Sequence, residues 1–284
     1  MQSIDIKATD GFLIKANWFA PTTPNERVVV ISAATGVRQE FYGPFAAHLA
    51  SLGYTVYTYD YRGIGKSSPP KLRGFKATMR DWATKDFKGV TDYIQTRHPS
   101  FSKFMVGHSV GGIFMGLSDA HQAYDGLITV AAQHGYWKHF HLHYKPLVLS
   151  LFHVILPTFN NLYGYFPSHY VNLGEPLPYG VAKDWRTLIT HPNSIMKLAA
   201  MSENHYADIS QPVLSISIDD DLMAPKKAVD RFAQSILINA PVKRVHILPA
   251  DHDVKSIGHI NFFRKKFSES LWKIPLEWLE DFPK

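Results

Sequence analysis

A chain of 284 residues, 45% hydrophobic and 19% charged, with 18 Gly, 18 Pro and no Cys, can bury a substantial core, and it is not disordered, collagenous or a coiled coil. The absence of cysteine removes disulfides, thiolate zinc sites, iron–sulfur clusters and a Cys nucleophile together. A net charge of +6, spread without a run of five basic residues, gives no support to nucleic-acid binding.

The opening MQSIDIKATD is polar and acidic where a signal peptide needs basic and then apolar residues. The longest apolar stretch, Leu147 to Leu156, contains Ser150 and His153 and falls far short of the ~18 residues of a membrane span. The expectation is a cytoplasmic protein with no integral membrane segment. Arg27 to Ala33, continuous and valine-rich, reads as a buried strand. Tyr42 to Leu52 has helical spacing ended by Gly53, and Thr55 to Asp60 is the next strand. A helix over Thr78 to Arg97 is closed by Pro99. Lys103 to Gly107 and Leu127 to Ala132 are further strands, with a short helix between them starting near Val110. From Gly126 to Gly174 there is no Asp or Glu, and the stretch after His134 is dense in Phe, Tyr and Trp. The alternation then resumes, with strands at Val213 to Ile218 and Val242 to Leu248, a helix at Lys226 to Gln234, and a final helix over Phe263 to Leu279. This pattern predicts an α/β fold with a mostly parallel sheet. Its core comprises residues 1–132 and 209–284, and residues 133–208 form an inserted cap over the carboxyl ends of the strands, where such sheets bind ligands.

Gly107-His108-Ser109-Val110-Gly111, followed by Gly112, lies between an apolar strand and a helix. A serine on a sharp strand-to-helix turn needs small neighbours, and the helix amino terminus behind it favours negative charge on an attacked carbonyl. Such a serine requires a base and a carboxylate that orients the base, in the chain order Ser, acid, His. Asp219, Asp220 and Asp221 follow a strand and supply the carboxylates. Asp221, four residues before Pro225, is the favoured one, and a solvated turn is the alternative reading. His252 and His259 share the loop before the last helix. His259 is favoured because it follows Gly258 and immediately precedes the aromatic start of the last helix, which would anchor the loop.

With these residues the chain resembles the α/β-hydrolase superfamily, in particular the lidded serine hydrolases that include esterases, monoglyceride lipases and the serine aminopeptidase group. Asp60-Tyr61-Arg62-Gly63-Ile64-Gly65-Lys66-Ser67 resembles the family's D-x-R-G-x-G-x-S turn, Gly107 to Gly111 its nucleophile elbow, Asp221 to Pro225 its acid loop and Gly258-His259 its histidine loop. Gly164 to Pro167, Leu173 to Pro178 and Trp185 also resemble a bacterial group of α/β hydrolases. The resemblance covers about residues 10–132 and 210–280. It implies an eight-stranded sheet flanked by helices, and the catalytic residues Ser109, Asp221 and His259. It further implies an oxyanion hole formed by the Thr35 and Val110 amides. One departure is that Ala33-Ala34 stand where the family has His-Gly.

The expected activity is hydrolysis of a small to medium carboxylic ester, apolar or aromatic, through an acyl-enzyme, with no cofactor and no metal. Trp137, Phe140 and Phe166 are the expected substrate contacts. Acyl transfer, thioester or peptide hydrolysis by the same triad, and a non-catalytic protein retaining the fold, are the alternatives. Gly65-Lys66-Ser67 imitates a phosphate loop but has Asp60 where that loop needs glycine. His139, His141 and His143 alternate without a nearby acid, which favours a packed or solvated segment over a metal site.

Overall fold

The computed structural model describes residues 1–282. It begins with β1 (Gln2–Lys7) and β2 (Leu13–Phe19), an antiparallel pair, followed by β3 (Arg27–Ser32), α1 (Gly43–Ser51) and β4 (Thr55–Tyr59). The helix expected over residues 78–97 starts at Thr78, whose side chain and Asp81 form a reciprocal capping box. It runs as α2 (Met79–Asp81), a π-helical stretch (Trp82–Phe87) and α3 (Lys88–Arg97). Next come β5 (Ser102–His108), α4 (Val110–Ile113) and β6 (Gly126–Val130).

The chain then leaves the sheet. It forms α5 (Lys145–Ser150), α6 (Leu156–Tyr163), the short antiparallel pair β7 (Tyr165–Phe166) and β8 (Leu177–Pro178), α7 (Tyr179–Thr190) and α8 (Ser194–Ala199). It rejoins with β9 (Val213–Ile218), α9 (Lys226–Ser235), β10 (Val242–Ile247) and α10 (Lys273–Glu280). The eight long strands lie in the order β1-β2-β4-β3-β5-β6-β9-β10. All pairings from β4 onward are parallel, and β1 and β2 pair antiparallel. Every residue of β3, β4, β6 and β9 is buried, as expected of central strands covered on both faces by helices. This is the α/β-hydrolase fold. No helix among the described residues is long and apolar enough to cross a membrane.

The last helix starts ten residues later than its hydrophobic spacing predicts. Arg264 is extended, with φ −76° and ψ 140°, which breaks the pattern into two short 3₁₀ turns. Phe263 and Trp272 instead both pack edge-on against Phe45 of α1, and the Trp272 indole N–H donates to the Phe262 carbonyl at 2.8 Å. Tertiary contact with α1 therefore overrides the local helical spacing.

The Asp60–Ser67 stretch is a structural lock. Asp60 accepts from the Gln39 amide at 2.8 Å and the Lys66 amide at 3.0 Å. A Cβ on Gly65, whose φ is +49°, would press on the Asp60 carboxylate. Arg62 donates through Nε to buried Asp86 at 2.7 Å and through its two terminal nitrogens to Asp10 at 2.7 and 2.8 Å. The Arg62 guanidinium holds the Asp10 carboxyl down at about 2. The motif thus fastens the β4 turn to the segment that leads into α1, directly after the loop following β3.

Candidate active site

β5 ends at His108 and the chain turns abruptly into α4, with Ser109 at the corner. Ser109 has φ 53° and ψ −120°, a conformation that costs a non-glycine residue on the order of 1–3 kcal/mol. The turn fits because its neighbours lack side chains. A Cβ on Gly107 would strike the Gly112 backbone, and one on Gly111 would strike the carbonyls of Ser32 and Ala33. The Ser109 amide donates to the Val130 carbonyl at 2.8 Å, which fixes the corner to β6.

The three aspartates after β9 separate cleanly. Asp221 is fully buried; its Oδ1 accepts from the Met223 and Ala224 amides, both at 2.8 Å, and its Oδ2 lies 2.7 Å from His259 Nδ1. Asp220 accepts from the Ser256 hydroxyl at 2.7 Å and from the Ile257 and Gly258 amides at 3.0 and 2.9 Å. Burial works against its charge, but these donors hold the carboxyl below the usual carboxylate range. Asp219 faces outward to His246 at 3.2 Å. His259, not His252, is the histidine brought to Asp221, and His252 closes the short turn at Pro249–His252 outside the cavity.

Ser109, Thr35 and His259 line one cavity of about 600 Å³, walled largely by apolar side chains of residues 140–155. Among the described residues the Ser109 hydroxyl and His259 share this cavity without a direct hydrogen bond, the loose arrangement common before substrate binds. The Thr35 amide donates to no backbone or side-chain group among the described residues, and Val110, as the first residue of α4, has an amide with no intrahelical acceptor. Neither Ala33 nor Ala34 has positive φ, so the alanines that replace His-Gly carry no strain. The positive φ falls on Gly36, at +69°. Gly36 is clasped by residues 173–175, with its carbonyl accepting from the Glu175 amide at 2.8 Å.

His108 was not singled out by sequence reasoning, yet it joins both sides of the site. Its Nε2 lies 2.8 Å from the His259 carbonyl, which can only accept, so Nε2 carries the proton. Nδ1 therefore accepts from the Tyr42 hydroxyl at 2.8 Å, and that hydroxyl accepts in turn from the Ala34 amide at 2.9 Å. Burial, followed by the neighbouring His259, pushes His108 down to about 3. Burial also pushes His134 down to about 4. An unfolded histidine takes up a proton near pH 6.5, whereas these two stay neutral in the native state until well below that. The unfolded state therefore binds more protons across this window, and stability should be complete above about pH 6.5 and fall as pH drops toward 4. Thermal melts from pH 7.5 to 4.5 check this. His108→Gln should melt lower at pH 7.5 and lose less on acidification, whereas equal slopes in both proteins would mean that His108 takes up its proton over the same pH range folded and unfolded.

Of the expected substrate contacts only Phe140 lines the cavity. Trp137 lies outside it, beneath the ammonium groups of Lys138 and Lys145, which sit 5.8 and 5.9 Å from its ring centre. Phe166 is fully buried in β7. Aromatic composition marks the segment but not the face each ring presents. Leu147, Val148, Leu151 and Phe152, which line the cavity but carry no aromatic or motif signal as a group, sit in an apolar run visible in the sequence.

Residues 23–251 match the family described as serine aminopeptidase, S33. The chain belongs to this family of α/β hydrolases. Over 105 residues this S33 family member is 29% identical to a monoglyceride lipase homolog of Monkeypox virus, an alignment covering 36% of each chain. Over 104 residues it is 28% identical to a monoacylglycerol lipase of Mycolicibacterium smegmatis, covering 36% of this chain and 35% of that one. The matched stretch thus spans about a third of the length of these relatives. An esterase of Pyrococcus furiosus has the same fold with a TM-score of 0.66 at 16% identity, covering 99% of this chain and 91% of that one. A thermophilic esterase of Thermogutta terrifontis gives 0.60 at 18% identity, covering 99% and 98%.

Proposed function

We propose that this protein is a serine hydrolase that cleaves carboxylic esters of small to medium apolar acyl groups through an acyl-enzyme. The reading rests above all on the 2.7 Å contact between Asp221 and His259, beside the cavity that Ser109 also lines. With the His259 Nδ1–H donated to Asp221, Nε2 keeps its lone pair and can serve Ser109 as a base. His259 takes the proton of Ser109, the serine oxygen attacks the acyl carbon, and the Thr35 and Val110 amides receive the oxyanion. Collapse of this intermediate expels the alcohol, which leaves with the proton from His259. Water, deprotonated by the same ring, then attacks the acyl-enzyme and releases the acid, restoring Ser109. Losing one oxyanion donor in such sites costs on the order of 3 kcal/mol.

The apolar walls support an acyl chain rather than a sugar or polyanion in the cavity. Residues 133–208 act in this reading as the cap, since they supply Phe140, Leu147, Val148, Leu151 and Phe152. The monoacylglycerol lipase relatives support an ester bond as the target. A panel of p-nitrophenyl esters, anilides and thioesters tests the choice. Esters of intermediate chain length should show the highest kcat/KM, with anilides at least about a hundred-fold lower. A preference for anilides would make the protein a peptidase. Absence of both turnover and fluorophosphonate labelling would make it a non-catalytic member of the family.

A further inference from the structure

Beside the catalytic cavity lies a second, open cleft of about 770 Å³, bounded by residues 138–145 on one side and α9 on the other. The two spaces share a wall one polypeptide segment wide. Phe140 borders both, Tyr144 faces the catalytic cavity, and His139 and Lys145 face the cleft. The two sides of this wall differ in chemistry, apolar toward Ser109 and cationic toward the cleft.

The charge at the cleft is not compensated. Lys138, Lys145, Lys227 and Arg231 line it and form no ion pair with any described carboxylate. Two acidic residues also border it: Asp230 is paired with Lys226 at 2.6 Å and Arg244 at 3.1 Å, and Asp219 lies 3.2 Å from His246. The pressure of like charge is visible on the histidines. His139 is pushed down by burial and then by Lys227, Arg231 and Lys145, and its ring centre lies 5.2 Å from that of buried His134. Lys138 and Lys145 are both held over the Trp137 ring, which limits their freedom to turn away. Five cationic side chains against two carboxylates leave the cleft with a positive surplus, which favours an anion.

We infer that this cleft binds a phosphate group carried on the alcohol or thiol portion of the substrate, while the acyl portion occupies the apolar cavity across the Phe140 wall. The inference rests on the ester-hydrolase reading and adds the chemistry of the leaving group. Phe140 stands between the two spaces, so the phosphate lies beyond this wall from the scissile carbonyl. It therefore needs a spacer and cannot sit directly beside the ester.

Two octanoyl esters test this, one of 6-hydroxyhexyl phosphate and one of 1,6-hexanediol. The wild-type protein should favour the phosphorylated ester by about ten-fold or more in kcat/KM at low salt, and the preference should shrink as ionic strength rises. The Lys227→Glu/Arg231→Glu double variant should lose the preference and keep the wild-type rate on octanoyl p-nitrophenol. Equal kcat/KM for the two esters, or a preference that survives charge reversal, would overturn the inference. Calorimetric titration of Ser109→Ala with 6-hydroxyhexyl phosphate separates this question from catalysis. Binding that disappears on charge reversal supports the cleft even in a protein that hydrolyses no ester, whereas ester turnover without such binding defeats the cleft and leaves the hydrolase reading standing. Co-sedimentation with phosphatidylglycerol vesicles is the third arm. Charge reversal that abolishes vesicle binding but leaves discrimination between the soluble esters unchanged would assign the cations to a membrane surface and overturn the substrate-phosphate assignment.

Discussion

Substituting Ser109 by alanine is expected to lower ester turnover by about a million-fold, the scale on which a lost serine nucleophile acts in enzymes of this mechanism, and to abolish fluorophosphonate labelling. Ser109→Gly should be equally inactive and should melt at a higher temperature than Ser109→Ala. Both variants lack the hydroxyl, so their difference isolates the backbone. At φ 53° and ψ −120° an alanine keeps the strain of the corner and a glycine releases it. That relief is worth on the order of 1–3 kcal/mol, set against the roughly 0.5–1 kcal/mol that glycine's extra unfolded-state freedom removes. A net gain of about 1 kcal/mol should appear in denaturant or thermal unfolding. A glycine variant less stable than the alanine variant would mean that no strain is stored at the nucleophile.

Asp221→Asn should lower kcat by about ten-thousand-fold with little change in KM, the size of effect that follows when a triad base is held in the wrong tautomer. The asparagine carbonyl can still accept from the Met223 and Ala224 amides, so the loop keeps its shape. Its amide nitrogen then faces His259 Nδ1 as a donor. The ring must accept there and carry its proton on Nε2, where it cannot take one from Ser109. The matching stability measurement should show a small change, because the buried negative charge is removed along with its partner's need for it. A loss of activity below ten-fold would show that Asp221 does not orient the base.

Much of this architecture was legible in the chain because it is written locally. The valine run of β3, the glycines around Ser109 and the strand that ends in three aspartates each state their role within a few residues. What escaped notice depends on distance or exposure. β1 and β2 form an edge pair; in β1 only Ile6 is buried, so its residues show no strong hydrophobic signal. Hydrophobic spacing places the start of α10 too early because Phe263, Phe267 and Leu271 keep helical spacing while Arg264 interrupts it. Trp137 and Phe166 stand out as aromatic but do not line the cavity, because composition does not say which way a ring points. Asp220 and His108 could not be assigned because their partners lie far away in sequence, at residues 256–258 and at Tyr42 and His259.

The buried His108 ring has one more implication. It couples the segment that carries Ala34 and Thr35 to the segment that carries His259, with Ser109 as its own neighbour in the chain, so the groups assigned to the proposed mechanism are tied together by a ring buried away from the cavity. The apolar cavity wall of residues 140–155, by contrast, makes no hydrogen bond to the His108 ring. On the proposed function, new substrate preferences can therefore arise by exchanging wall residues while the His108 linkage is inherited unchanged.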